Sequence, residues 1–345
     1  MVACTALFLG ASPLLASQVD GGAQRVGNQV VGQLQVLGWR VLSATSPQWL
    51  GSRPAGARWA SLGRDQYLLA RTSSGEPLQN ILRNADLCIV MDRFLGTGMP
   101  VRGPTVLLLS NLAYDNEIAA VQRGTWDQIW VPSDYVASQL EDLCPATPIL
   151  IVPPAVDFDI RTRGQHRKFS LLMPHRMDEL KGWSDAIELC RLLLIEESAW
   201  TMTVPIKQHD QWEVSSGAQA DSMLRHAFIR TRPWVPYLSM AAVYGQHAVT
   251  LFPTVLSEGF GLTALESVAC GTPVVATRRG NLPSLAKRIA GLHLVDRVAT
   301  RHTAALVREV AEASVSEGDA RHARECFSLR VQGTAVQGAL RGLGF

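Results

Sequence analysis

The chain has 345 residues, 32 Lys+Arg against 30 Asp+Glu and a formal net charge of +2; at about 150 residues per domain, that length points to two domains. A hydrophobic fraction of 47% with 18% charged residues excludes a disordered or collagen-like chain. Near-neutral charge argues against a dedicated nucleic-acid binder, which needs a basic excess to neutralise phosphates.

Met1 to Ser17 opens apolar, with no positive residue ahead of the run and the first Arg at Arg25. It reads as leading into a buried first strand, Ala6 to Leu9, rather than as a signal peptide. A helix follows from Gly21 to Leu37, opened by a Gly-Gly turn, and then a strand from Val41 to Ala44. Leu87 to Met91, Val106 to Leu109, Gln128 to Val131 and Ile149 to Val152 are further strands, with a helix from about Ser133 to Leu143 capped by Ser133. Continuous apolar strands separated by helices imply a parallel sheet covered on both faces.

Pro153-Pro154 and the polar stretch 155–167 mark a boundary, after which the pattern restarts. Phe169 to Met173, Trp200 to Val204, Ala248 to Phe252 and Pro273 to Ala276 are strands. Trp183 to Leu194, Met240 to Gly245 and Leu262 to Cys270 are helices, the last closed by Gly271, and 303–343 is largely helical. The expected fold class is α/β, two doubly wound units facing a central cleft. The domains run 1–155 and 156–325, followed by a helical tail at 326–345 for which a return to the N-terminal domain is left open.

Six cysteines are widely spaced without a CxxC pair, so buried free thiols in a reducing compartment are expected rather than a zinc site or disulfides. Residues 1–155 hold ten Arg and no Lys against eleven acids, leaving no polybasic stripe for anionic lipid. No run approaches 18 apolar residues, so no membrane-spanning helix is expected.

Three segments carry candidate chemistry. In Ser257-Glu258-Gly259-Phe260-Gly261-Leu262-Thr263-Ala264-Leu265-Glu266, two carboxylates stand eight residues apart around a Gly-x-Gly turn that opens a helix. Glycines there let backbone N–H groups approach an anion closely. Glu266, inside an apolar helix, needs donors, and sugar hydroxyls are suitable; the ordinary alternative places it on a solvated face. In Pro174-His175-Arg176-Met177-Asp178-Glu179-Leu180-Lys181-Gly182, two cations five residues apart precede a helix. They are able to neutralise a diphosphate or, alternatively, to pair with Asp178 and Glu179. Asp20-Gly21-Gly22-Ala23-Gln24-Arg25 is a tight strand-to-helix connection.

The string from Ser257 to Thr277 resembles the E-x7-E signature of retaining GT-B glycosyltransferases of family 4. The Arg176/Lys181-Gly182 and Gly21-Gly22 segments resemble that family's phosphate-facing loops. The resemblance implies a GT-B fold and a retaining, metal-independent transfer from a nucleotide-diphosphate sugar (UDP or GDP) to a saccharide, glycolipid or small-molecule acceptor. Arg176, Lys181, Gly21, Gly22 and the Gly259, Phe260, Gly261 and Leu262 backbone would bind the diphosphate side of the donor, Glu266 its ribose and Glu258 its sugar. No metal and no cofactor is implied, and no nucleic-acid partner. The expected location is cytoplasmic, with peripheral attachment to the inner membrane left open.

The chain also departs from the family. No His precedes His166; Asn111, Asp115 and Glu117 stand after the Val106–Leu109 strand instead, as contacts for donor or acceptor. The two acids are equally readable as helix-start residues. Asn281-Leu282-Pro283-Ser284 replaces a Glu common near residue 280. The competing readings are a catalytically silent GT-B subunit and a nucleotide-sugar epimerase.

Overall fold

The computed structural model describes residues 4–10, 22–45, 58–62, 65–69, 78–92, 101–112, 115–156, 167–175, 179–206, 226–233 and 235–345. The chain divides into two compact units: Met1–Ala155 with Phe327–Phe345, and Val156–Cys326.

Unit 1 is built on strands β1 (Thr5–Leu9), β2 (Arg40–Thr45), β3 (Arg58–Leu62), β4 (Asp65–Leu69), β5 (Leu87–Met91), β6 (Thr105–Leu108), β7 (Gln128–Val131) and β8 (Ile149–Ile151). Their order in the sheet is β3-β4-β2-β1-β5-β6-β7-β8. All pairs are parallel except β2·β4 and β3·β4. The central strands are sealed on both faces: every residue of β5 is buried, as their uninterrupted apolar runs require. Helices α1 (Gly22–Val36), α2 (Leu78–Asn84), α3 (Asp115–Arg123) and α4 (Asp134–Leu140) join them. The Ser133 hydroxyl caps α4, accepting from the Val136 N–H at 3.3 Å. The β3–β4 hairpin was not expected, because its strands mix charged and apolar residues instead of forming an apolar run.

Unit 2 holds β9 (Arg167–Leu172), β10 (Thr201–Ile206), β11 (Ile229–Pro233), β12 (His247–Phe252), β13 (Val274–Thr277) and β14 (Leu292–Val295), all parallel, in the order β11-β10-β9-β12-β13-β14. Its helices are α5 (Trp183–Glu196), α6 (Met240–Gly245), α7 (Leu262–Ala269), α8 (Leu282–Ala286), α9 (Arg301–Ala313) and α10 (Glu317–Cys326). Trp183, Leu189, Leu193, Met202, Val249, Leu251 and Val307 fill the core between sheet and helices. Strand β11 was likewise unexpected. It is an edge strand with two arginines and a final proline, a composition tolerated where one side of the ladder is unpaired.

The order of each sheet fixes where a ligand can sit. In unit 2 the chain moves from β9 outward to β10 and β11, then crosses to the other side of β9 to make β12. The loops after β9 and β12 therefore diverge at a topological switch point, the crevice that open α/β sheets use for ligands. Unit 1 has the equivalent point between β1 and β5.

The last helix, α11 (Leu329–Gly342), belongs to unit 1 and packs on α1 through buried glutamines. Gln29 Nε2 donates to the Ala155 carbonyl (2.7 Å), Gln29 Oε1 accepts from the Ala155 N–H (2.9 Å), and Gln332 Nε2 reaches the same oxygen at 3.2 Å. The six cysteines form no disulfide, but the expected burial holds only for Cys88, Cys190 and Cys270; Cys144 and Cys326 are half-buried and Cys4 is exposed. Burial pushes the Cys88 and Cys190 thiols up to about 12, so both are neutral packing groups at ordinary pH. Among the described residues no helix is long and apolar enough to cross a membrane.

Candidate functional site

In unit 2 the chain after β9 forms a 3-10 turn over Glu179–Lys181 and enters α5 through Gly182 at φ +74°. A Cβ at residue 182 would overlap the Pro253 carbonyl; both the left-handed backbone and the close approach call for glycine. That approach brings the loop after β9 against the loop after β12, a contact repeated by the Val255 N–H to Leu180 carbonyl bond (3.0 Å).

Across this junction Lys181 Nζ lies 2.7 Å from Glu258 Oε1, each side chain less than one-fifth exposed. The sequence left Asp178 and Glu179 as alternative partners for the lysine. It forms an ion pair with a residue 77 positions away, while Glu179 accepts from the Ser184 hydroxyl at 2.7 Å; Asp178 lies outside the described residues. The fully buried Thr254 hydroxyl lies 3.0 Å from the same Glu258 Oε1. Among the described residues both donors converge on Oε1.

Beyond Glu258, Gly259 and Phe260 are buried and Gly261, at φ +97°, caps α7. The first amides to close back on the helix are those of Ala264 and Leu265, both onto the Gly261 carbonyl, which leaves the first-turn N–H groups of α7 facing away from the helix's own ladder. The turn is braced by Asn281: its N–H donates to the Glu258 carbonyl (2.8 Å) and its Nδ2 to the Phe260 carbonyl (2.9 Å). Asn281 thus works as a backbone clamp for this turn.

Glu266 is 1% exposed, which overturns the solvated-face alternative. A carboxylate so buried requires donors, and the Tyr244 hydroxyl supplies one to Oε2 at 2.9 Å. At the far end of α7, Arg324 on α10 donates to the Ala269 carbonyl (2.8 Å), placing a cation where the helix dipole favours one.

In unit 1, Gly22 starts α1 directly after the switch-point loop, and Asn111, Asp115 and Glu117 lie beyond β6. Asp115 and Glu117 both fall in the first turn of α3, Asp115 exposed and Glu117 4% exposed. The Asn111 side chain caps its own neighbour, accepting from the Leu112 N–H at 2.9 Å. Sequence reasoning missed Asp92, a buried residue with φ +53° whose carboxylate accepts from the Ser110 N–H (2.7 Å) and hydroxyl (2.6 Å). It fixes the loop that carries Asn111. Its signal, an acid closing an apolar strand, is common to many turns.

Gly21 and Arg176 lie outside the described residues. A cavity of about 680 Å³ in unit 2 is lined by Thr203, Arg230, Arg232, Gln246 and His247 among others, and none of the sequence-predicted site residues lines it. Size alone does not make it the better candidate; the switch point combines the Lys181–Glu258 pair with the helix-start amides of α7.

The fold has counterparts among solved structures. Sucrose-phosphate synthase from Thermosynechococcus elongatus superposes with TM-score 0.70 at 16% identity, covering 99% of both chains. Alr3699/HepE from Anabaena, solved with UDP and glucose, superposes with TM-score 0.68 at 13% identity, covering 97% of this chain and 99% of that one. The two units are thus the Rossmann-like halves of a GT-B fold. The family model described as Glycosyl transferases group 1 matches residues 176–313, within unit 2. A D-inositol 3-phosphate glycosyltransferase from Arthrobacter sp. (strain FB24) is 33% identical over 150 residues, 38% of this chain and 34% of the relative. Another from Corynebacterium jeikeium (strain K411) is 50% identical over 159 residues, 39% and 36% respectively. The matches span about a third of the length of these relatives.

Proposed function

We propose that the chain is a retaining, metal-independent glycosyltransferase that moves a sugar from a nucleotide-diphosphate sugar, UDP- or GDP-linked, to an acceptor hydroxyl in α linkage. The observation that carries this reading is the Lys181–Glu258 pair at 2.7 Å at the switch point of unit 2, with Glu258 three residues ahead of the Gly261 cap of α7. The glycosyltransferase names of the partial relatives support it.

Each group has a task in that chemistry. Lys181, Arg176 and the first-turn amides of α7 neutralise the diphosphate. Glu258 holds a hydroxyl of the donor sugar and Glu266 the ribose hydroxyls. Asn111, Asp115 and Glu117 serve acceptor or donor recognition, with the two acids suited to polarising an acceptor hydroxyl. The bond from the anomeric carbon to the diphosphate breaks while the acceptor oxygen bonds to that carbon on the same face, and the acceptor's proton passes to the departing phosphate oxygen. Negative charge grows on the leaving group, so fixed cations and amides aimed at it lower the barrier without a protein nucleophile.

A thermal-shift panel of UDP, GDP, ADP and TDP, each with and without EDTA, tests the reading. One nucleotide should raise the melting temperature, and EDTA should leave the shift and sugar transfer intact. Activity lost to EDTA and restored by Mn²⁺ would contradict the metal-free scheme. Nucleotide binding without any transfer or donor cleavage would instead favour the silent-subunit alternative.

A further inference from the structure

Lys181 is asked to hold a diphosphate, yet its ammonium is 2.7 Å from a carboxylate. An ion pair this close competes with a ligand for the ammonium, so release of the lysine is eased by any second donor that shares the carboxylate oxygen. The Thr254 hydroxyl is placed to do this. It lies 3.0 Å from Glu258 Oε1, nearer than the carbonyls of Leu256 (3.3 Å) and Leu180 (3.5 Å) that it also approaches. A hydroxyl has one proton, and the ionised acceptor wins it because charge-assisted bonds are the stronger ones. Thr254 is itself immobilised: it is fully buried, and its carbonyl accepts from the Thr277 hydroxyl at the end of β13.

We propose that Thr254 is a positioning residue for the site, acting through Glu258. Its hydroxyl shares Oε1 with Lys181, which weakens the carboxylate's hold on the ammonium and fixes the carboxylate's rotation so that Oε2 is kept for a ligand hydroxyl. The proposal rests on the donor-site reading above. It adds a residue that touches no ligand yet sets how readily the lysine passes from acid to diphosphate.

The test is a double-mutant cycle read with inorganic pyrophosphate, which needs no knowledge of the nucleobase. Thr254→Val, matched in shape, should weaken pyrophosphate binding about fivefold by calorimetry, because the Lys181 ammonium then no longer shares Oε1 with the hydroxyl. Thr254→Ser should restore binding to within about twofold. In a Glu258→Gln background, Thr254→Val should change nothing. Where the parent protein binds pyrophosphate, equal weakening in both backgrounds, or none in either, overturns the proposal. The second readout needs no ligand: the chain has only four lysines, so the Lys181 ammonium resonance is assignable by its loss in Lys181→Arg. That resonance should move in Thr254→Val and return in Thr254→Ser. A resonance that moves in a protein indifferent to pyrophosphate would keep the positioning role and reject the donor-site reading. A resonance that does not move rejects the positioning role.

Discussion

Lys181→Ala should weaken nucleoside-diphosphate binding by about 10- to 100-fold, the range for losing one hydrogen bond to a charged group in a partly desolvated site. Two effects add. The cation facing the phosphates disappears, and Glu258, which keeps the Thr254 hydroxyl but loses its ion pair, becomes an uncompensated negative charge beside the ligand. Glu258→Gln in the same protein should recover part of the loss by removing that repulsion. Glu266→Gln separates two roles for the second acid: its carboxylate is buried with the Tyr244 hydroxyl at 2.9 Å. If it also grips ribose, the variant binds UDP or GDP about tenfold more weakly while pyrophosphate binding is unchanged. A lower melting temperature with unchanged nucleotide titrations would make Glu266 a purely structural partner of Tyr244. Unchanged titrations in both Lys181→Ala and Glu266→Gln would defeat the site.

The largest stability effect is expected at Gly182. Alanine there must hold a left-handed backbone at φ +74° and push its methyl into the Pro253 carbonyl. We expect a loss of about 2–4 kcal/mol by chemical denaturation, from the conformational cost plus displacement of a buried loop. Because the same approach brings Lys181 and Glu258 together, nucleotide binding should fall with it. Gly338 is the control: it lies inside α11, and a methyl added there would meet nothing within 4 Å. Gly338→Ala should add about 0.5–1 kcal/mol, as alanine does in a helix interior. A neutral Gly182→Ala would remove the argument that the two loops are locked together.

What was legible in the sequence was whatever is local or written in apolar periodicity. The strand and helix around Glu258 were placed within a residue or two, α7 at Leu262–Ala269 against an expected 262–270, because glycine, proline and β-branched runs bracket them. Cys88 was expected in the core from its apolar surroundings, and it is fully buried. The illegible parts are those set by distant partners. Nothing near Lys181 in the sequence says that its acid is Glu258 rather than Glu179, since the pairing depends on β9 and β12 being neighbours. Thr254 and Tyr244 carry no local mark either; a hydroxyl becomes informative only once the carboxylate it faces is known. The β11 edge and the β3–β4 hairpin were lost for the opposite reason, as their polar strands have no periodic apolar signal to read.

A structure of the protein with its best-binding nucleoside diphosphate tests the central claim most directly. The account predicts phosphate oxygens within hydrogen-bond distance of Lys181 Nζ and of the first-turn amides of α7. A nucleotide lodged instead in the cavity beside Arg230 and Arg232, with Lys181 still closed on Glu258, would contradict it.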